Sequence, residues 1–202
     1  MKLGAWTVAV CLVAGAGSVL GAGEAGIGQS APDFSLSDIT GKTNTLSSSK
    51  GKFVVLEWMN YDCPFVKKHY GTGNMQKLQK TYTEKGVIWL SINSSAAGKQ
   101  GNYPPEKWVE MAKEKGAAST AILLDPDGKV GKLYGAKTTP NMFVINPEGV
   151  LIYAGAIDDK PTFAPEDVKT AKNYVAAALD AAMAGKPVET PSTQSYGCSV
   201  KY

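Results

Sequence analysis

The sequence predicts an α/β domain with a mixed central sheet and helices on both faces. Two patterns carry that expectation. Short apolar runs rich in β-branched and aromatic residues alternate with stretches whose apolar residues recur every three or four positions. The last two apolar runs, residues 141–145 and 150–154, are joined by the turn Asn146-Pro147-Glu148-Gly149, so the sheet closes on an antiparallel hairpin. Strand–helix alternation gives parallel neighbours, and the hairpin adds antiparallel ones.

Each element has a local reason. Ala31-Pro32-Asp33-Phe34-Ser35-Leu36 alternates apolar and polar residues, as a half-buried strand does. Ile39-Thr40-Gly41-Lys42 has turn chemistry, and Gly51-Lys52 opens the first central strand, residues 53–59. A helix begins at Cys63 or Pro64, because proline suits a first turn whose N–H is not needed. Gly71-Thr72-Gly73 breaks it, and Met75, Leu78 and Tyr82 resume one apolar helical face. Residues 87–93 form a second buried strand, followed by a polar loop over 94–103 with no phosphate-binding pattern. Pro104-Pro105-Glu106 opens a helix with Trp108, Met111 and Ala112 facing inward. Residues 121–124 are a short strand, Asp125-Pro126-Asp127-Gly128 a turn, and 130–134 one or two helical turns. Pro165-Glu166 starts the last helix, expected to run to Met183 before Gly185-Lys186-Pro187 stops it.

Composition narrows the functional class. Apolar residues make up 44 % of the 202, which is ordinary for a packed domain. A net charge of +3 without a long Lys/Arg run points away from nucleic acid. Met1-Lys2 is a short positive start, residues 3–20 carry no charge, and Gly21, Ala22, Gly23 and Ala25 are small. Residues 1–23 therefore read as a secretory signal, cleaved between Gly21 and Ala25, and the protein as exported to the periplasm or cell envelope. The rival reading is an uncleaved anchor. Its many Gly and Ala residues make the segment weakly hydrophobic, so no stable membrane span is expected after cleavage. Cys11 leaves with the signal. The mature chain is then a domain over 29–184 and a tail over 185–202.

Two cysteines remain, Cys63 and Cys198. In an exported chain such a pair invites a disulfide; two unrelated thiols is the other reading. Cys63 sits where an apolar strand turns into a helix, and the positive end of the helix stabilises a thiolate. Lys67 one turn on adds to this, and Asp62 opposes it. The tail is rich in Pro, Ser, Thr and Gly, like a flexible linker. Its end differs: Tyr196, Val200 and Tyr202 surround Cys198 as anchors that let the terminus dock. His69, the single histidine, lies six residues past Cys63 and off its helix face, and reads as a solvated helix residue. Lys67-Lys68 reads as a solvated face. Trp58, Tyr61 and Phe65 flank the cysteine, with core packing the favoured role for Trp58. No metal site and no cofactor is expected.

Three stretches together resemble a known family. Ala31-Pro32-Asp33-Phe34-Ser35-Leu36-Ser37-Asp38 with Gly41-Lys42 and Leu46 resembles the opening of redoxins, the alkyl hydroperoxide reductase/thiol-specific antioxidant branch of the thioredoxin superfamily. Residues 51–58 followed by Asp62-Cys63-Pro64 resemble the active-site strand and turn. Thr138-Thr139-Pro140 followed by residues 142–149 resembles the stretch around the family's cis-proline. The resemblance implies a thioredoxin-like fold, thiol chemistry at Cys63, and a cis Thr139–Pro140 bond facing it. There are two departures. Val66 stands where thioredoxins have the second cysteine of Cys-x-x-Cys. Leu56 and Asn60 stand where peroxiredoxins carry a proline and a hydroxyl residue.

These features give a thiol-dependent oxidoreductase with Cys63 as nucleophile and Cys198 as resolving thiol, acting in peroxide reduction or thiol–disulfide exchange. Asn60, Pro64, Thr139 and Pro140 are the candidate substrate-binding residues. The partners are a peroxide or protein disulfide and a thiol reductant protein. The second class is a non-catalytic binder of copper or of a protein partner; a third is a structural protein with a stapled tail.

Overall fold

The structure is a computed structural model that describes residues 25–202. The expected signal over 1–23, with Cys11, lies outside the described residues. The elements run β1 (Ser35–Ser37), β2 (Thr43–Thr45), β3 (Val54–Trp58), α1 (Pro64–Gly71), α2 (Asn74–Thr83), β4 (Ile88–Asn93), α3 (Pro105–Glu114), β5 (Ala121–Leu124), α4 (Lys129–Leu133), β6 (Thr138–Thr139), β7 (Asn141–Ile145), β8 (Leu151–Gly155), α5 (Tyr174–Met183) and β9 (Cys198–Ser199). Short 3₁₀ segments cover Leu46–Ser49 and Pro165–Lys169.

The central sheet has five strands in the order β5-β4-β3-β7-β8. β3, β4 and β5 are parallel, and β7 and β8 are antiparallel to their neighbours, so the sheet is mixed as expected. β3 is buried along its whole length, which is why its sequence is a continuous apolar run rather than an alternating one. Val55 and Met59 face one side, where they meet Val66 and Tyr70 of α1, Met75 and Leu78 of α2, Trp108 of α3 and Val175 of α5. Val54, Leu56 and Trp58 face the other, against Phe34, Leu46, Val130 and Tyr134.

Glu57 interrupts the apolar run of β3 and is fully buried. Tyr70 donates to its Oε1 at 3.0 Å; Gln79, Trp89 and Ser91 donate to its Oε2 at 3.0, 2.8 and 2.9 Å. Burial raises this carboxyl above its ordinary range, against those four hydrogen bonds. The carboxylate thus ties β3 to α1, α2 and β4 directly beneath the strand's exit.

Two boundaries differ from the sequence reading. The last helix begins at Tyr174, not at Pro165. Asn173 caps it by accepting from the Ala176 N–H at 2.8 Å, and residues 165–169 form a separate 3₁₀ turn. The Lys172 N–H is held by Asp159 at 2.9 Å and the Tyr174 N–H by the Ile157 carbonyl at 3.0 Å, so the chain is pinned extended just before the cap. The linker-like part of the tail is docked too, and not only the aromatic end that the sequence reads as anchoring. The tail bridges to Ala154 of β8 in parallel through Ser192 and ends as β9 paired with β6. The break at Gly71-Thr72-Gly73 stands as read: Gly73 takes a left-handed φ of 75° between α1 and α2.

Replacing Glu57 by Leu leaves four buried donors without their acceptor. A loss of about 3 kcal/mol in urea unfolding is expected. A loss under about 1 kcal/mol would mean that the donors find other partners.

Candidate active site

β3 delivers the chain to a turn, Met59 to Asp62, in which the Asn60 carbonyl accepts from the Cys63 N–H at 3.0 Å. Cys63 is the N-cap of α1 with extended φ and ψ of −70° and 126°, and Pro64 is the first helical residue. The Cys63 carbonyl accepts from the Lys67 N–H at 2.9 Å, so the sulfur stands at the first turn of the helix. Opposite it, the Thr139–Pro140 bond is cis, as the resemblance implies, and the Thr139 carbonyl oxygen lies 3.1 Å from Cys63 Sγ.

The second sulfur arrives from the tail. β9 pairs antiparallel with β6, with Cys198 opposite Thr139 and Ser199 opposite Thr138. The Val200 N–H donates to the Lys137 carbonyl at 3.0 Å and extends the pairing. Cys198 Sγ then lies 2.8 Å from Cys63 Sγ, and both thiols are free. Three glycines make room for the tail. A Cβ at Gly197 would strike the Thr139 carbonyl, one at Gly155 would strike Thr193, and one at Gly131 would strike the Tyr202 ring. Gly131 lies inside α4 with no left-handed φ to satisfy, so space for Tyr202 is what its missing side chain provides. The Ala96 N–H donates to the Lys201 carbonyl at 2.8 Å, so the 94–103 loop receives the end of the tail.

Cys63 has no solvent exposure, contrary to the accessible thiol that the sequence implies. Cys198 Sγ and the Thr139 carbonyl lie against its sulfur. Burial raises the Cys63 thiol, but hydrogen bonds from Cys198 and Thr139 and from the Val66 N–H at the helix start outweigh burial and hold it below the ordinary thiol range. Cys198 moves the opposite way: burial, then its bond to Cys63 and the Cys63 charge, push it up to about 11. Of the two thiols, Cys63 is the one that ionises first. Lys67 is exposed and contributes nothing to that shift; the helix backbone does.

The other sequence-predicted residues fall as follows. Pro64 is exposed at the helix start, and Thr139 is buried with its backbone edge taken by β9. Asn60 is buried, and both ends of its amide are engaged: Oδ1 accepts from the Asp62 N–H at 2.9 Å, and Nδ2 donates to the Gln100 carbonyl at 3.1 Å. Trp58 lies on the far face of the sheet and donates to Ser94 Oγ at 3.0 Å, so it does not flank the cysteine. His69 and Lys68 are not solvated. Both are buried, His69 completely, because the 158–160 turn and the tail close over that side of α1. Asn74 faces His69 Nδ1 at 2.9 Å, which makes Nδ1 the acceptor and leaves the proton on Nε2. Nε2 faces the Tyr196 hydroxyl at 3.4 Å, and Tyr196 donates to Asp158 Oδ1. Burial, then the Lys68 charge, pull the imidazole down to about 3, so it is neutral although Asp158 Oδ2 lies 3.9 Å away. The signal that this face is not solvated was Tyr196 itself, an aromatic residue in a linker-like tail.

Comparison with known proteins agrees with this geometry. The model of the AhpC/TSA family matches residues 27–154. The chain belongs to the AhpC/TSA family. The AhpC/TSA chain is 30 % identical over 135 residues to the thioredoxin-like protein YneN of Bacillus subtilis, spanning 66 % of this chain and 74 % of YneN. It is 28 % identical over 123 residues to the thiol-disulfide oxidoreductase ResA of Geobacillus thermodenitrificans, spanning 61 % of this chain and 65 % of ResA. A conserved protein of Geobacillus kaustophilus has the same fold at a TM-score of 0.76 and 30 % identity, covering 88 % of this chain and 92 % of that one.

Two pH responses follow. In the reduced protein, ultraviolet thiolate absorbance should rise in two steps, one below the ordinary thiol midpoint of ~8.5 and one near 11. Cys198→Ala should move the first step up, because it removes the thiol donor; an unmoved first step would remove Cys198 from the account. The second response concerns His69, which faces Lys68, Asp158, Tyr196 and Asn74. Its folded value of about 3 lies below the ordinary histidine value of 6.5. Stability from the neutral ring is therefore full above 6.5 and lost as pH falls towards 3. Between pH 6.5 and 5, where carboxylates stay ionised, urea unfolding should show a loss of roughly 1 kcal/mol per pH unit. His69→Gln should flatten that slope.

Proposed function

We propose that this AhpC/TSA chain is a thiol–disulfide oxidoreductase in which Cys63 attacks and Cys198 resolves. The observation that carries the reading is the pair of free thiols 2.8 Å apart at the sheet–helix corner, with the charge favoured on Cys63. The similarity to ResA, a thiol-disulfide oxidoreductase, supports it.

The chemistry runs in two exchanges. The Cys63 thiolate attacks one sulfur of a substrate disulfide; that S–S bond breaks, and the other substrate sulfur leaves as a thiolate and takes a proton. A mixed disulfide with Cys63 remains. Cys198 then loses its proton and attacks Cys63 Sγ. The Cys63–substrate bond breaks, the second substrate sulfur leaves and is protonated, and a Cys63–Cys198 disulfide forms. The substrate gains two electrons from the cysteine pair and two protons, one from Cys198 and one from the solvent that took up the Cys63 proton when that thiol ionised. Once Cys63 is in a mixed disulfide its charge is gone, so the part of the upward shift that Cys198 owed to it disappears. The resolving thiol is thereby activated by the first step. A thiol reductant protein returns the pair to the reduced state by the reverse exchange.

Thr139 and Pro140 supply the edge beside Cys63, and Pro64 its exposed flank, for a protein disulfide once the tail lifts. Peroxide reduction is the second reading, favoured by the family itself. Asn60 speaks against it, since its amide is committed to the turn and to the loop. The leader-like residues 1–23 and the paired thiols support an exported protein.

A chromogenic aromatic disulfide with a dithiol reductant tests the reading. Wild type should turn over, Cys63→Ser should fall to the uncatalysed rate, and Cys198→Ser should stop after one equivalent, with the mixed disulfide visible by mass spectrometry. Turnover by Cys63→Ser would sink the assignment. Hydrogen peroxide consumption with the same reductant should be slower than disulfide turnover; the reverse order would select the peroxidase reading.

A further inference from the structure

The thiol pair leaves one cluster unused. Lys68, His69 and Asp158 are titratable, buried, and away from both sulfurs' hydrogen bonds. Burying such groups is unfavourable unless partners satisfy them. Lys68 Nζ donates to the Lys160 carbonyl at 2.8 Å, and Asp158 Oδ1 accepts from the Lys160 N–H at 3.0 Å, so part of the requirement is met locally. The remaining capacity of all three converges on one atom, the Tyr196 hydroxyl. It accepts from His69 Nε2 at 3.4 Å and stands 3.5 Å from Lys68 Nζ, while donating to Asp158. Its ring packs tilted against Phe65, two residues past Cys63, with centroids 5.8 Å apart, and the Lys68 ammonium lies 5.4 Å from its ring centroid.

Tyr196 belongs to the tail, two residues before Cys198. The one residue between them, Gly197, has its backbone pressed against the Thr139 carbonyl, where a side chain would not fit. The tail therefore has little freedom to slide between the Tyr196 site and the strand pairing. Fixing Tyr196 fixes Cys198 against Cys63.

We propose that Tyr196, gripped by Asp158, His69 and Lys68, is a positioning residue that sets Cys198 on Cys63 and keeps Cys63 closed until the tail lifts. The latch raises the effective concentration of one thiol at the other, as any constraint on a linker does. This inference rests on the thiol-pair reading for its redox consequence, and on geometry alone for the closing of Cys63.

The experiment uses the full chain as wild type, Tyr196→Phe and Asp158→Asn. The Phe variant keeps the ring and removes only the hydroxyl. Asp158→Asn leaves the tail sequence intact and decides by the same criteria if Tyr196→Phe does not fold, as judged by thermal melting. In the first arm, reduced protein is equilibrated with mixtures of reduced and oxidised glutathione. Two protein thiols plus one glutathione disulfide give the Cys63–Cys198 disulfide plus two glutathione thiols. Wild type should pass to the internal disulfide with little mixed disulfide. The variants should need at least tenfold more oxidised glutathione, and should accumulate protein–glutathione mixed disulfide. In the second arm, Cys63 alkylation by iodoacetamide is followed by peptide mapping and should speed up at least tenfold in the variants.

Wild-type values in both arms for a folded variant would overturn the proposal. A wild type that forms no internal disulfide would sink the thiol-pair reading instead, and the alkylation arm alone would then decide whether Tyr196 closes Cys63.

Discussion

The pairing of β9 with β6 is the contact on which the site depends. It satisfies the free edge next to the cis Thr139–Pro140 bond, and it lays the tail so that Cys198 meets Cys63. An unpaired strand edge is a row of donors and acceptors that seeks a partner. Here the chain supplies its own. The rest of the tail serves that placement, with Thr193 bonded to Tyr153 and the Ala156 N–H, Tyr196 in the buried cluster, and Tyr202 bonded to the Ala136 carbonyl. Glycines at 131, 155 and 197 clear the path.

The same contact solves a problem posed by the missing Cys-x-x-Cys. A thiol pair three residues apart on one helix turn is held by local geometry. A pair separated by 135 residues is held only by docking. Loop-closure entropy grows slowly with length, so the distance along the chain costs little once the tail has anchors. What the long route adds is contact: Cys198 lies against Cys63, which has no solvent exposure. Access, nucleophile strength and resolution are thus tied to one segment, whereas in a local pair they are separate.

Much of this was legible. The strand–helix alternation with its closing hairpin, the break between α1 and α2 and the docking of an aromatic tail follow from short-range signals: apolar period, paired glycines, and tyrosines where a linker needs none; the cis bond came from the family resemblance. Lys68 and His69 were misread because a helix face is assigned from its own sequence, and theirs is polar. The residues that bury them, Asp158 and Tyr196, are 89 to 128 positions away and carry no local mark of it. Trp58 packs in the core as read, but on the face of β3 away from the cysteine; in a strand buried on both faces, alternation does not say which face is which. The early start of the last helix failed because Pro165-Glu166 is a good opening signal with nothing in the following residues to announce a second one at Asn173.

The sequence by itself determined the chemistry available: two thiols, one of them at a helix start whose backbone dipoles favour its ionised form, in a chain with no local second cysteine. Only the tertiary structure decided which groups that thiol would meet. Packing of the tail against β6 and β8 brought two particular sulfurs together, left Cys63 without solvent exposure, and gathered a tyrosine and an aspartate from distant segments around the adjacent lysine and histidine of α1. The physical reason is range. Helix and strand preferences act over a few residues, while burial and hydrogen-bond satisfaction are settled only when distant segments come together.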